Sequence, residues 1–263
     1  METFSLVAFI LYSLATAAIV TRLFHQKGPN LVLVLSLGSF AIIAHSLFNA
    51  QVFLTPSDVN FNLLNVVSLV SLIITLTVTT IALKYKVNLL LPVVYGFAGL
   101  WQLFMIFAPN IDQIPLHADK IFLISHITLA LVAYCILTIA TLYTFQAAYI
   151  NHKLKSKNLT AVAHLPPLMQ VEQQLFSILA LGTLSLFVSL LLGAVFLEGF
   201  FSSNTAHKSI LSICALLLYC VILWGHYKQG WRGTKVVTLT VVASSILTLS
   251  YFGSRFVKEF LLS

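Results

Sequence analysis

Three histidines stand where a polar ring is costly: His45 deep inside an apolar run, His126 near the start of another, and His207 on the threshold of a third. A titratable or metal-binding group in such a run is a functional candidate by default. A neutral imidazole nitrogen binds transition metals and haem iron, and two rings from different helices can clamp a planar macrocycle between them. The plainer role for each ring is to hydrogen-bond one helix to another. The other five of the eight histidines have milder settings. His25, His152 and His164 fall in basic connecting segments, His226 at a helix end near Trp224, and His117 in a charged loop, where solvated or interfacial rings are expected.

Other chemistries lack their residues. No HExxH, GxSxG, Walker or dinucleotide glycine pattern occurs, so hydrolase, NTPase and nucleotide-cofactor sites are excluded as readings. No carboxylate pair lies within an apolar run, which weakens a proton-coupled transporter. Glu198, at the outer end of the sixth apolar run, reads as the one acid close to the histidines and could orient His207, although a solvated acid at a helix end is the plainer reading. Cys135, Cys214 and Cys220 show no CxxC or CxxCH spacing and are expected as buried, unpaired thiols. Phe48, Phe53, Phe61, Trp101, Phe104, Phe107, Phe196, Phe200 and Phe201 would supply an apolar, aromatic surround at the depth of the three histidines.

The elements that position these groups follow from the apolar runs. Continuous windows cover 4–22, 31–54, 62–83, 88–108, 121–150, 173–197, 208–226 and 235–257, separated by Gly, Pro, Asn and charged residues. Each is long enough for one membrane crossing, which takes about 20 apolar residues. With only 8% charged residues and a mean hydropathy of +1.00, the solvent for most of the chain is lipid. The expected fold is all-α, a polytopic bundle of about eight transmembrane helices forming one integral membrane domain over residues 1–263. Little chain is left for a separate catalytic domain. The N-terminus lacks a basic region before its apolar run, so a retained first helix is expected rather than a cleaved signal.

The net charge of +7 is scattered between apolar runs rather than gathered into a patch, and no nucleic-acid partner is expected. Its partition sets orientation instead. Ten of the fourteen basic residues lie in alternate connections: Arg22 and Lys27; Lys84 and Lys86; Lys153, Lys155 and Lys157; Lys228, Arg232 and Lys235. The positive-inside rule makes those connections cytoplasmic and both termini periplasmic. His45 then lies roughly 13 Å beneath the outer boundary and His126 roughly 8 Å beneath it, at about 1.5 Å per residue, with His207 at that boundary.

Four stretches carry a resemblance: SHITLALVAYCILTIATLYTFQAAY at 125–149, LPPLMQVEQQLF at 165–176, HKSILSICALLLYCVILWGHYKQGWRG at 207–233 and SYFGSRFV at 250–257. Together they are similar to the YpjD/HemX-like branch of the CcsA/CcmC cytochrome c assembly superfamily. GWRG and YFGSRFV are in combination its most specific marks. The resemblance implies a multi-pass protein of the inner membrane of a Gram-negative-type bacterium that handles non-covalently held b-type haem. Haem itself and cytochrome maturation or other membrane proteins are the implied partners. It places His126 at the first outer histidine of helix five and His45 at the intramembrane histidine of an early helix. His207 corresponds more loosely to a family haem ligand.

The chain departs from the lyase members of that superfamily at two points. Between helices six and seven it reads GAVFLEGFFSSNTAHKS where they carry a tryptophan-rich stretch, and no histidine follows His226. The expectation is therefore an accessory or regulatory haem-binding protein without enzymatic activity. A structural membrane partner without haem is the alternative, and a small-molecule transporter a further one. Arg232 of GWRG reads as a topology and phosphate-headgroup anchor.

Overall fold

The computed structural model describes residues 2–23, 25, 28–53, 59–60, 62–108, 115–116, 121–157, 165–197, 202, 206–253 and 256. Among these, eight helices are long and apolar enough to cross a membrane, as the apolar windows predict. They are α1 (Glu2–Val20), α2 (Leu31–Phe53), α3 (Leu63–Ala82), α4 (Leu90–Phe107), α5 (Ile121–Lys155), α6 (Leu168–Phe196), α7 (Ala206–Gln229) and α8 (Thr234–Thr248), the last continuing into a π-helical turn at Leu249–Gly253. A two-residue antiparallel pairing of β1 (Val59–Asn60) with β2 (Pro115–Leu116) ties the connection after α2 to the one after α4. Helices α5 and α6 outrun their apolar windows. Hydropathy marks where lipid ends, whereas backbone hydrogen bonding carries a helix on into water. Pro167 caps α6, a position at the helix start that tolerates proline because no intrahelical N–H bond is lost there.

Contacts group the chain into two compact units, 1–117 with 153–166, and 118–152 with 167–263. In the first, α1 buries Ser5, Ala8, Tyr12, Ala15 and Ile19, a three-and-four spacing that makes one continuous stripe. This stripe packs along both α2 and α4. Helix α3 turns inward a stripe of hydroxyls, Ser68, Ser71, Thr75 and Thr79, all buried. Polar side chains at such spacing bond helices together where lipid offers no hydrophobic drive.

Gly38 of α2 lies directly against the Tyr95 ring of α4. The Tyr95 hydroxyl, 2.8 Å from Thr79 Oγ1, occupies the space a β-carbon on residue 38 would need. Gly38→Ala should therefore destabilise the protein by about 1–3 kcal/mol through overpacking. The midpoint of reversible denaturation in mixed micelles measures it.

In the second unit, α5 and α6 run antiparallel. Phe122 stacks on Phe196, His126 bonds to Ser189, and Leu137 seats against Gly182. Helix α8 is held to α7 where Ser250 Oγ lies 2.7 Å from Ser212 Oγ and donates to the Lys208 carbonyl at 2.8 Å. It meets α5 where Tyr134 Oη lies 3.1 Å from Thr248 Oγ1. The π-helical turn overlaps the first four residues of the SYFGSRFV stretch, of which residues 254, 255 and 257 lie outside the described residues.

A candidate haem-ligand site on α5 and α6

His126 sits just over one turn into α5 and is partly exposed. Its Nδ1 lies 2.7 Å from the backbone carbonyl oxygen of Ser189 on α6. A carbonyl can only accept, so Nδ1 carries the proton. In the neutral ring the lone pair is then on Nε2. The Ser189 hydroxyl returns the contact, donating to the His126 carbonyl at 3.2 Å. This reciprocal pair fixes both the tautomer and the plane of the imidazole. Metal-binding histidines are held in the same way, with one ring N–H given to a carbonyl and the other nitrogen presented to the metal.

An apolar surface lies beside it. Phe122 is four residues before His126, on the same face of α5, and Phe196 is seven residues after Ser189, on the same face of α6. Their rings stack with centroids 4.4 Å apart and planes 2° from parallel, each about half exposed. The stacked pair gives an aromatic surface about one helical turn from His126 on the same face of α5. His207 is exposed in the first turn of α7. Since α6 ends beside the start of α5 and a short connection leads on to α7, His207 lies toward the same end of this unit as His126. Among the described residues, no three His, Cys, Asp or Glu side chains gather as a metal cluster. Haem iron needs no such cluster, because the macrocycle fills four positions and at most two axial ligands come from protein.

His45 has a different setting. It belongs to the first unit, is 0% exposed, and has both ring nitrogens engaged. Nε2 is 3.1 Å from Ser68 Oγ and Nδ1 is 3.3 Å from the Tyr12 hydroxyl. The Ser68 hydroxyl donates its single hydrogen to Asn49 Oδ1 at 3.0 Å, so His45 Nε2 must donate to it. Nδ1, the nitrogen with the lone pair, then faces the Tyr12 hydroxyl. Gln102 Nε2 donates to Ser68 Oγ at 3.1 Å, and Ser5 Oγ bonds the Gln102 side chain at 2.7 Å, so one network reaches all of α1 to α4. The ring therefore works as a cross-link between helices in this arrangement.

Of the remaining histidines, His25 and His152 are exposed. His226 is more than an interfacial ring: it stacks on Phe176 of α6 with centroids 3.3 Å apart, and its Nδ1 is 3.2 Å from the Trp231 carbonyl. Cys135 is buried as expected, but Cys214 and Cys220 are exposed free thiols. The reason is the buried stripe of α7 at Ser212, Ala215, Tyr219 and Ile222, which turns the flanking cysteines outward. His117, His164, Glu198, Phe61, Phe200 and Phe201 lie outside the described residues.

The family model described as cytochrome C assembly protein matches residues 33–262. The inner membrane protein YpjD of Escherichia coli strain K12 is 39% identical over 261 residues, covering 98% of this chain and 99% of that protein. An Azospirillum brasilense protein, named as an uncharacterized 28.8 kDa protein in a nifR3-like 5' region, is 29% identical over 148 residues, 55% of each chain. No solved structure matches this chain. With a family model that spans nearly all of it and a relative aligned end to end, the chain belongs to the cytochrome C assembly protein family.

Proposed function

We propose that this inner-membrane protein binds haem non-covalently and serves cytochrome assembly or haem metabolism as an accessory or regulatory protein. Both termini face the periplasm in this reading, a direction supported by the basic residues of the alternate connections. The observation that carries the proposal is His126, whose Nδ1 proton is committed to the Ser189 carbonyl at 2.7 Å beside the Phe122–Phe196 stack. His126 is the proposed axial ligand, and His207 is the candidate for a second axial position in the same unit. Haem held there would supply a redox-active iron and a planar macrocycle open to transfer. The chain's own part is to orient the imidazole through Ser189 and to offer an aromatic surface on the same helix face. A lyase role is not proposed, because the segment between α6 and α7 contains no tryptophan to present haem to an apocytochrome.

The test is the absorption spectrum of protein purified from haem-replete cells. A Soret band whose position moves on reduction is expected. The competing reading, a structural membrane partner without haem, draws support from His45, whose two nitrogens already serve neighbouring helices. A colourless preparation that also fails to take up added haemin would establish that reading instead.

A further inference from the structure

We infer that the α7–α8 turn is a binding site for the headgroup of an anionic phospholipid, with Arg232 and Lys235 as its phosphate contacts. Its place at the membrane surface follows from length. Helix α7 ends at Gln229 and α8 begins at Thr234, so residues 230–233 alone connect two membrane-crossing helices. Four residues reach at most about 14 Å when fully extended. Trp231, Arg232 and Lys235 are therefore confined to headgroup level, on the face that carries most of the basic loop residues.

The turn is firmly built. Gly230 and Gly233 both have φ of 66°, which reverses the chain in a conformation that side chains disfavour. The Trp231 backbone N–H donates to the Gly225 carbonyl at 3.0 Å, and its indole N–H donates to Gln229 Oε1 at 2.8 Å. The indole ring lies directly on Gly225, where a β-carbon would collide with it. The Trp231 carbonyl meets His226 Nδ1, and His226 is itself stacked on Phe176. An indole fixed in this way suits the interfacial zone, where tryptophan is enriched.

Two cations are set on this base. The Lys235 ammonium lies 5.7 Å from the centre of the Trp231 ring, within cation–π range. Arg232 Nε lies 3.7 Å from Glu172 Oε2 of α6. At that length Glu172 steadies the guanidinium electrostatically without consuming a hydrogen-bond donor. The arginine side chain remains 62% exposed, so its planar fork can still meet phosphate oxygens in pairs. With Lys228 exposed in the last turn of α7, three cations face one acid. A soluble phosphate would satisfy the same donors, but confinement to headgroup level and the adjoining indole favour a lipid.

Native mass spectrometry of the full-length protein, supplied with phosphatidylglycerol or phosphatidylcholine of matched acyl chains, tests this. Phosphatidylglycerol should be retained preferentially. The preference should fall by about fivefold for each cation removed, so that an Arg232→Ala/Lys235→Ala variant nears parity. Lys235→Ala alone leaves the Arg232–Glu172 pair intact and guards against misfolding; it too must lower the preference. A matched Lys84→Ala/Lys86→Ala variant at the α3–α4 turn should keep the wild-type preference. An unchanged preference on removing Lys235, or equal losses in the two double variants, overturns the site. Displacement of the lipid by millimolar inorganic phosphate alone would assign the turn to a soluble anion and overturn the lipid assignment.

Discussion

His126→Ala should abolish the Soret band of the purified protein while leaving the fold in place. The two halves of that expectation come from different parts of the geometry. Disturbing only the groups that orient a metal-binding histidine costs about 10–100-fold in affinity, and removing the ligand itself should cost at least as much. The structural loss is small by comparison. His126 is partly exposed and its Nδ1 meets Ser189 at the carbonyl, 2.7 Å away, and at the hydroxyl, 3.4 Å away, whereas the Ser189 hydroxyl bond to the His126 backbone survives the substitution. A side-chain hydrogen bond between membrane helices is worth about 0.6 kcal/mol on average. Circular dichroism and gel filtration should match the wild type. Added imidazole, which can enter the space left by the ring, should restore the band. An unchanged band in a folded His126→Ala protein removes His126 as the ligand and turns the search to His207.

Eight helices are readable in the sequence because each apolar run is closed by glycine, proline, asparagine or charge. The end of α5, with Asn151, Lys153 and Lys155, and the start of α6, with Gln170, Glu172 and Gln173, are not, since those turns are polar and only backbone hydrogen bonding continues them. His45 announces itself by depth, and its partner does not. Tyr12 lies 33 positions away on another helix with no spacing that links the two. A signal for that network was nonetheless present in the Ser68, Ser71, Thr75 and Thr79 spacing, a hydroxyl stripe on one face of α3. The Ser189 contact has no such signal, because the accepting group is a backbone carbonyl that every residue possesses. His226 and Phe176 meet only because α6 and α7 pack at that level, which neither residue's local sequence encodes.

His45→Ala should give the opposite pattern to His126→Ala: a less stable protein that keeps its Soret band. The ring is completely buried, donates to Ser68 and sets Nδ1 3.3 Å from the Tyr12 hydroxyl, so it joins α2 to both α3 and α1. Truncation leaves a cavity and strips a partner from each of two buried hydroxyls. Tyr12 keeps a longer contact to Thr75 at 3.4 Å, and Ser68 keeps Asn49 and Gln102, so the loss is partly absorbed. A net destabilisation of about 2–4 kcal/mol is expected from the cavity and the weakened hydrogen bonds together. His45→Gln, which restores a donor and an acceptor at reduced length, should recover part of it. The measurement pairs a denaturation midpoint with the spectrum on the same sample. Haem ligation by His45 would require its lone-pair nitrogen to leave the Tyr12 hydroxyl. Loss of the band in His45→Ala with an unshifted midpoint would therefore identify His45 as a ligand and show that the Tyr12–His45–Ser68 cross-link opens when haem is bound.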